Sequence, residues 1–291
     1  MTFEEAMKAA GLLPLLIVPD GKWRRCRTVD KSNSHRNGAY ILYPDGRGYF
    51  RNWALDSEVN SWRDDQATIA TPMDLARIEA QRAQQREKRI RAVRAAREFW
   101  AKSTRLVGGH PYLNRKGLSM VGCTNLRTSG ESLVIPVMAG EKIISLQTIE
   151  PDGSKRFFAG APVKSGAYLI TRPRAAVTCL CEGLATGLAL FQSIQQSNVI
   201  VCFDAGNLLP VAERIKPTGS VVVCGDNDHA TQAKRGFNPG LEKANNVAEY
   251  LGCGMAAPHG FLGSDWADVL REHPAGAKYI AREVLKYARY I

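Results

Sequence analysis

The stretch AVTCLCEGLATGLALFQSIQQSNVIVCFDAGNLLPVAERIKPTGSVVVCGDND, residues 176–228, decides the fold. Its short apolar runs VTCLC, NVIVC and SVVVC read as strands, and the text between them has helical composition. Strands alternating with helices predict a parallel sheet flanked by helices. Each run ends in an acid: Glu182 after VTCLC, Asp204 after VIVCF and Asp226 after VVVCG, with Asp228 two residues on. The carboxyl ends of parallel strands in an open sheet face the ligand crevice, so these side chains are expected to converge.

Carboxylates gathered in one crevice repel unless a cation offsets them, and hard oxygen donors suit Mg²⁺ or Mn²⁺. Asp226 and Asp228, separated by the turn-former Asn227, can address one ion. A later pair, Asp265 and Asp268 in GSDWADVL, follows the next strand and is expected as an outer or second metal ligand set. Two ions about 4 Å apart would steady the attacking and leaving oxygens of a phosphoryl displacement. Taken singly, the acids have blander readings: Glu182 as an acceptor at a helix start, Asp204 and Asp265 as N-caps, DND as turn text. The order of a Glu, then DxD, then a further acidic pair is what carries the chemistry.

That order resembles a Toprim domain over residues about 172 to 272, with CEGLATGLAL as its Glu motif and GDNDHATQAKRGFNPGLEKANNVA as its DxD motif. The Toprim fold is shared by DnaG-type primases, topoisomerases and some nucleases. Upstream, HPYLNRKGL, LVIPV, SLQTIEPDGSKRFFAG and FDAGNLLPVA resemble the primases of conjugative plasmids, phages and their satellites. The resemblance implies Glu182 as general base or metal-shaping acid, Asp226 and Asp228 as Mg²⁺ ligands, and Asp265 or Asp268 as the acid for a further metal. It further implies that Lys155 and Arg156 touch template or nucleotide phosphates. Lys234 and Arg235, beside the acidic centre, are expected at the triphosphate or template, because cations there offset the charge of a metal-phosphate cluster. His110, before Pro111, is read as a cap or packing residue.

Outward from this core, ESLVIPVMAGEKIISLQTIEPDGSKRFF alternates apolar and polar residues and turns at AG and PDG, which predicts an antiparallel β-hairpin or meander within a β-rich part over 108–171. Residues 66–107 carry a basic, glycine-free helical segment, one helix or two, whose Arg82, Arg86, Lys88, Arg89, Arg91 and Arg94 either solvate it or touch a phosphate backbone. Residues 1–65 read as a short helix and a small β-rich module. There Trp23, Tyr40, Tyr43, Phe50 and Trp53 lie among Arg24, Arg25, Arg27, Arg47 and Arg51. Rings beside guanidinium groups suit single-strand binding, and about half of these rings are expected in the module's core instead. Tyr40 and Tyr43, three residues apart, cannot share a strand face. The expected architecture is therefore α/β: a Toprim sheet over 172–291, a preceding β-rich part, a basic helix, and an amino-terminal module.

Bulk composition narrows the partners. The 291 residues, 45% hydrophobic, suffice for a sizeable core, and a net charge of +11 favours a polyanion. No run approaches the roughly 18 apolar residues of a membrane span. The opening MTFEEAMKAAGLLPLLIVP is acidic where a signal peptide is basic, which predicts a cytoplasmic protein. The seven cysteines form no CxxC pair, and Cys26 with His35 cannot furnish four ligands, so no zinc is expected and the thiols are read as buried. The implied activity is primer synthesis on single-stranded DNA from nucleoside triphosphates. With no GxxxxGK[ST] loop in the chain, a replicative helicase would be a separate partner. The competing readings are a Toprim nuclease or nickase, and a non-catalytic protein that coats or delivers single strands.

Overall fold

The computed structural model describes residues 1–29, 36–55, 58–64, 72–119, 125–236, 238–261 and 263–291, with backbone alone for 72–75, 77, 230, 234 and 235. His35 and Cys123 lie outside the described residues, as do the side chains of Lys234 and Arg235. The chain divides into two compact units, Met1–Glu87 and Lys88–Ile291.

The first unit opens with α1 (Phe3–Ala9), started by a capping box in which Thr2 and Glu5 satisfy each other's backbone N–H groups. An antiparallel sheet follows in the order β1 (Leu12–Leu13), β2 (Arg24–Thr28), β3 (Gly38–Leu42), β4 (Arg47–Asn52) and β5 (Asn60–Arg63). Phe3 and Met7 of α1 pack on Leu12, Cys26, Tyr40 and Phe50. Phe3 meets the Tyr40 and Phe50 rings edge-on, with centroids 6.1 and 5.8 Å away. Gly48 is required beneath it, because a Cβ there would sit 2.3 Å from the Phe3 ring. Tyr40 and Phe50 are thus core residues, whereas Trp23 and Trp53 remain exposed.

The basic segment forms one helix, α2 (Pro72–Lys102), whose residues fall on both sides of the division. Arg82, Arg86, Lys88, Arg89, Arg91 and Arg94 are all exposed on it. It buries Ile78 near its start, and near its end Ala96, Phe99 and Trp100 meet Val134 and Leu146.

In the second unit, β6 (Thr104–Arg105) and α3 (Pro111–Arg115) lead into the antiparallel strands β7 (Arg127–Ser129), β8 (Ser132–Ala139), β9 (Lys142–Ile149) and β10 (Lys155–Phe157). These pair in the order β10-β9-β8-β7-β6, so of the hairpin or meander expected here the meander is present. Gly140 and Gly153, at φ of 59° and 94°, supply the left-handed residues at its turns.

The last sheet contains β11 (Tyr168–Ile170), β12 (Val177–Cys181), β13 (Ser197–Val201), β14 (Ser220–Cys224) and β15 (Gly254–Ala256) in the order β11-β13-β12-β14-β15. Strands β12 to β15 are parallel, and β11 runs antiparallel along β13. The connecting helices are α4 (Leu184–Ser193), α5 (Leu208–Ile215), α6 (His229–Arg235) and α7 (Pro239–Leu251), followed by α8 (Trp266–Glu272) and α9 (Gly276–Leu285). A final two-residue strand, β16 (Arg289–Tyr290), pairs antiparallel with β14, where the sequence suggested only helix.

Alternation within the strands explains the layers. Val177, Cys179, Cys181, Val199, Val201, Val222 and Cys224 face α4, α8 and α9, while Leu180, Ile200, Cys202, Val221 and Val223 face α5 and α7. With apolar residues on both sides, these strands could be recognised as buried from their sequence. Gly187 lets α4 approach the sheet, since a Cβ there would lie 2.6 Å from Val201. Among the described residues, Cys26, Cys179, Cys181, Cys202 and Cys224 are buried. Among the described residues, no helix is long and apolar enough to cross a membrane.

Candidate catalytic centre

The chain leaves β12 to one side for β13 and returns to its other side for β14, so the topological switch point lies at the carboxyl end of β12. Cys181 is level with Val201 on one neighbour and Cys224 on the other. Glu182, Asp204 and Asp226 therefore leave the same edge of the sheet. Phe203 adopts φ of 74°, a left-handed conformation costly for an aromatic residue, immediately before Asp204. Its ring meets Phe157 of β10 edge-on at 6.0 Å.

The three acids feel one another. Burial, and then the charge of Asp204, push the Glu182 carboxyl above its ordinary range. Burial, and then Glu182, push Asp226 up to about 8, and burial raises Asp204. The buried Thr186 of α4 donates its hydroxyl to Asp226 Oδ1 at 2.8 Å. Lys155 partly offsets the charge at Glu182 and Asp226, and Lys243 of α7 does so at Glu182 and Asp204. The Lys155 ammonium lies against Gly183, 3.8 Å from where a Cβ would stand. Because strand residues alternate, Lys155 and Phe157 share the face toward this centre, and Arg156 takes the other.

The remaining predicted residues are placed differently. Asn227 is locked between Pro258 and Asn238, donating to the Pro258 carbonyl at 2.8 Å and accepting from Asn238 Nδ2 at 3.0 Å. That turn carries Asp228 outward, where its carboxylate caps α6 by accepting from the Thr231 backbone N–H and hydroxyl. Asp265 caps α8, accepting from the Asp268 N–H at 2.8 Å. Both members of this pair bind the Lys116 ammonium, Asp265 at 3.0 Å and Asp268 at 2.9 Å. Asp265 still lies near enough to Asp226 to contribute to raising its carboxyl. His110 caps α3 through Nδ1 and donates from Nε2 to the Glu131 carbonyl at 2.7 Å.

Sequence reasoning missed Lys116, Lys243 and Thr186. Lys116 stood in the quoted HPYLNRKGL, but nothing local joins it to acids about 150 residues away. Thr186 lies one helical turn past Glu182, on the α4 face toward the sheet.

Do these residues fit a divalent ion? Among the described residues, no group of three or more His, Cys, Asp or Glu side chains encloses a point an ion could occupy. Glu182 and Asp226 nonetheless present half-buried, mutually repelling oxygen donors, and Mg²⁺ is commonly held by one or two carboxylates with water and substrate phosphates completing its shell. The donor set fits such an open site.

In the first unit, Arg25 and Arg51 flank Ala39 in register on the sheet face opposite Tyr40 and Phe50. Their guanidinium carbons lie 4.1 and 5.6 Å from the Trp53 ring. Arg24 points the other way and pairs with Asp20 at 2.7 Å. Trp23 lines a recess with Gly21, Tyr43, Gln81 and Arg82.

Residues 177–276 match the Toprim domain family. The chain is related in sequence to a DNA primase TraC of Escherichia coli, 29% identical over 277 residues that make up 86% of this chain and 25% of that protein. A second DNA primase TraC of Escherichia coli is 28% identical over 278 residues, 86% of this chain and 19% of that protein. The chain thus spans a quarter or less of the curated relatives it matches. Among solved structures, it is similar to the primase fragment of the bacteriophage T7 primase-helicase protein, with a TM-score of 0.41 and 12% identity over 86% of this chain and 96% of that one.

Proposed function

We propose that this Toprim-containing, TraC-related chain synthesises short primers on single-stranded DNA, joining nucleoside triphosphates at the edge formed by Glu182, Asp204 and Asp226. The observation that carries this reading is the strand register that brings three strand-end acids to one edge at the switch point of the sheet, with their carboxyls raised in the same direction. A site built this way gains most from a bound cation and its phosphates. Glu182 and Asp226 would hold the Mg²⁺ or Mn²⁺, which when bound would stabilise charge on the phosphoryl oxygens undergoing displacement. Thr186 orients the Asp226 carboxylate by its hydrogen bond. If Glu182 instead stands off the ion, it is the acid placed to take the proton of an attacking 3′-hydroxyl. Lys155 and Lys243 supply fixed positive charge at the mouth, Lys155 toward the nucleotide phosphates.

A nuclease would use the same carboxylates with water as nucleophile, so one reaction separates the two readings. The chain is incubated with end-labelled single-stranded DNA, differently labelled nucleoside triphosphates and Mg²⁺. New oligonucleotides over an intact template support primer synthesis; a shortened template with no incorporation establishes cleavage instead.

The outer face of the first unit's sheet is the proposed template surface, because Trp53 offers a ring for stacking while Arg25 and Arg51 offer charge beside it. Base stacking on one ring contributes roughly 1–3 kcal/mol. Trp53→Ala is expected to weaken single-stranded DNA binding about tenfold or more, measured by fluorescence anisotropy on the full chain. Arg25→Ala is expected to flatten the dependence of affinity on salt, by about one unit in the logarithmic slope. Unchanged affinity and slope in both would move template binding elsewhere, with the exposed arginines of α2 next in line.

A further inference from the structure

We propose that Lys116 is the resident cation of the Asp265–Asp268 pair, and that this pair positions the catalytic edge instead of ligating a second metal ion. The inference rests on the reading of Glu182 and Asp226 as the place where an ion is held.

Every carboxylate oxygen of the pair already faces a donor. Asp265 Oδ1 accepts from the Asp268 backbone N–H at 2.8 Å, and Asp265 Oδ2 accepts from Lys116 Nζ at 3.0 Å. Asp268 Oδ1 accepts from Lys116 Nζ at 2.9 Å and from Arg271 Nη2 at 3.0 Å, and Asp268 Oδ2 faces the Ser264 N–H at 3.3 Å. Two acids whose charge is balanced by two cationic side chains, with every oxygen already accepting a hydrogen bond, lack the excess negative charge that draws in a dication.

The cation is also built in. The side chains of Lys116, Asp265 and Asp268 are only 22%, 19% and 11% exposed. Lys116 is the C-cap of α3, and that short helix is anchored by buried Tyr112 and Leu113 and by the His110 cap. Gly263 closes over the pair from the other side, since a Cβ there would lie 2.2 Å from Asp268 Cβ.

The ion pair reaches the reacting edge through the backbone. The Ser264 carbonyl accepts the Asn227 N–H at 2.7 Å, and Asn227 is the residue after Asp226. By holding Asp268, and through it Ser264, Lys116 fixes the turn that aims Asp226. It is a positioning residue, and its ammonium stands where the sequence pattern suggested a second metal.

The test counts ions instead of turnover. Mn²⁺ binding to the full chain is followed by electron paramagnetic resonance of the free ion, for the parent, Asp268→Asn, Lys116→Arg and Lys116→Ala. Asp265→Asn replaces Asp268→Asn if circular dichroism shows the latter unfolded. The same number of ions is expected in the parent, the Asn variant and Lys116→Arg, with one additional, weaker ion in Lys116→Ala. Loss of an ion in the Asn variant, or an unchanged count in Lys116→Ala, overturns the proposal. A parent chain that binds no Mn²⁺ at all defeats the reading of Glu182 and Asp226, yet the gain in Lys116→Ala still decides the role of Lys116.

Discussion

An Asp226→Asn chain is expected to lose primer synthesis by on the order of a thousandfold while folding as well as its parent. Asparagine keeps the shape of the side chain and can still accept the Thr186 hydroxyl, so what is removed is the charge. That charge sits at the end of β14, beside Glu182, where a polar group is tolerated at the cost of a raised carboxyl. A structural acid in the same place would be improved by neutralisation. Loss of synthesis in a chain that melts no lower than its parent therefore separates a functional carboxylate from a structural one. Synthesis retained within tenfold would place the chemistry elsewhere on the molecule.

The second large effect is a fall in stability with rising pH in the ion-free chain, which a saturating ion cancels because it takes the place of the proton. With Asp226 at about 8 when folded and an ordinary value of 3.8, the folded chain holds a proton that the unfolded chain has released between about pH 4 and 8. The ion-free protein is therefore expected to lose stability as pH rises through this window, by up to about 1.4 kcal/mol per unit from this group. Glu182 and Asp204, raised in the same direction, add to the slope. An ion must displace that proton, so Mg²⁺ affinity should climb about tenfold per pH unit until about pH 8 and then level. Thermal melts with and without Mg²⁺ from pH 5 to 9 read both trends. Asp226→Asn should flatten the ion-free curve; an equally steep curve in that variant would assign the dependence to other groups.

Much of this architecture was legible in the sequence, for physical reasons particular to each element. The apolar runs of β12, β13 and β14 are buried on both faces, so their composition alone marked them as central strands, and an acid at the end of each then had to lie at the sheet's carboxyl edge. The AG and PDG turns of the meander announced themselves because left-handed residues there favour glycine. The facing of Lys155 away from Arg156 follows from strand parity.

Other features depend on tertiary packing that local text does not encode. Asp-x-Asp is compatible with two ligands on one ion or with one ligand and one helix cap. The hydrogen bonds of Asn227 to Pro258 and Asn238 direct Asp228 to Thr231 here. Lys116 and Lys243 read as ordinary surface lysines until α3 and α7 are packed beside the acids. Tyr40 and Trp53 are both aromatic residues among arginines, and only the placement of Phe3 under the sheet makes one a core residue and leaves the other exposed. The two-residue β16 is too short for any periodicity to mark it.

In the proposed site the ion sits among the three strand-end acids. Fe²⁺ supplied in place of Mg²⁺, with ascorbate and peroxide, releases hydroxyl radicals that cut the backbone beside the metal, and mass spectrometry of the fragments locates the cuts. Cleavage within a few residues of Glu182, Asp204 and Asp226, suppressed by excess Mg²⁺ and absent in Asp226→Asn, is the predicted result. Cuts confined to other parts of the chain, with none at those three strand ends, would contradict it.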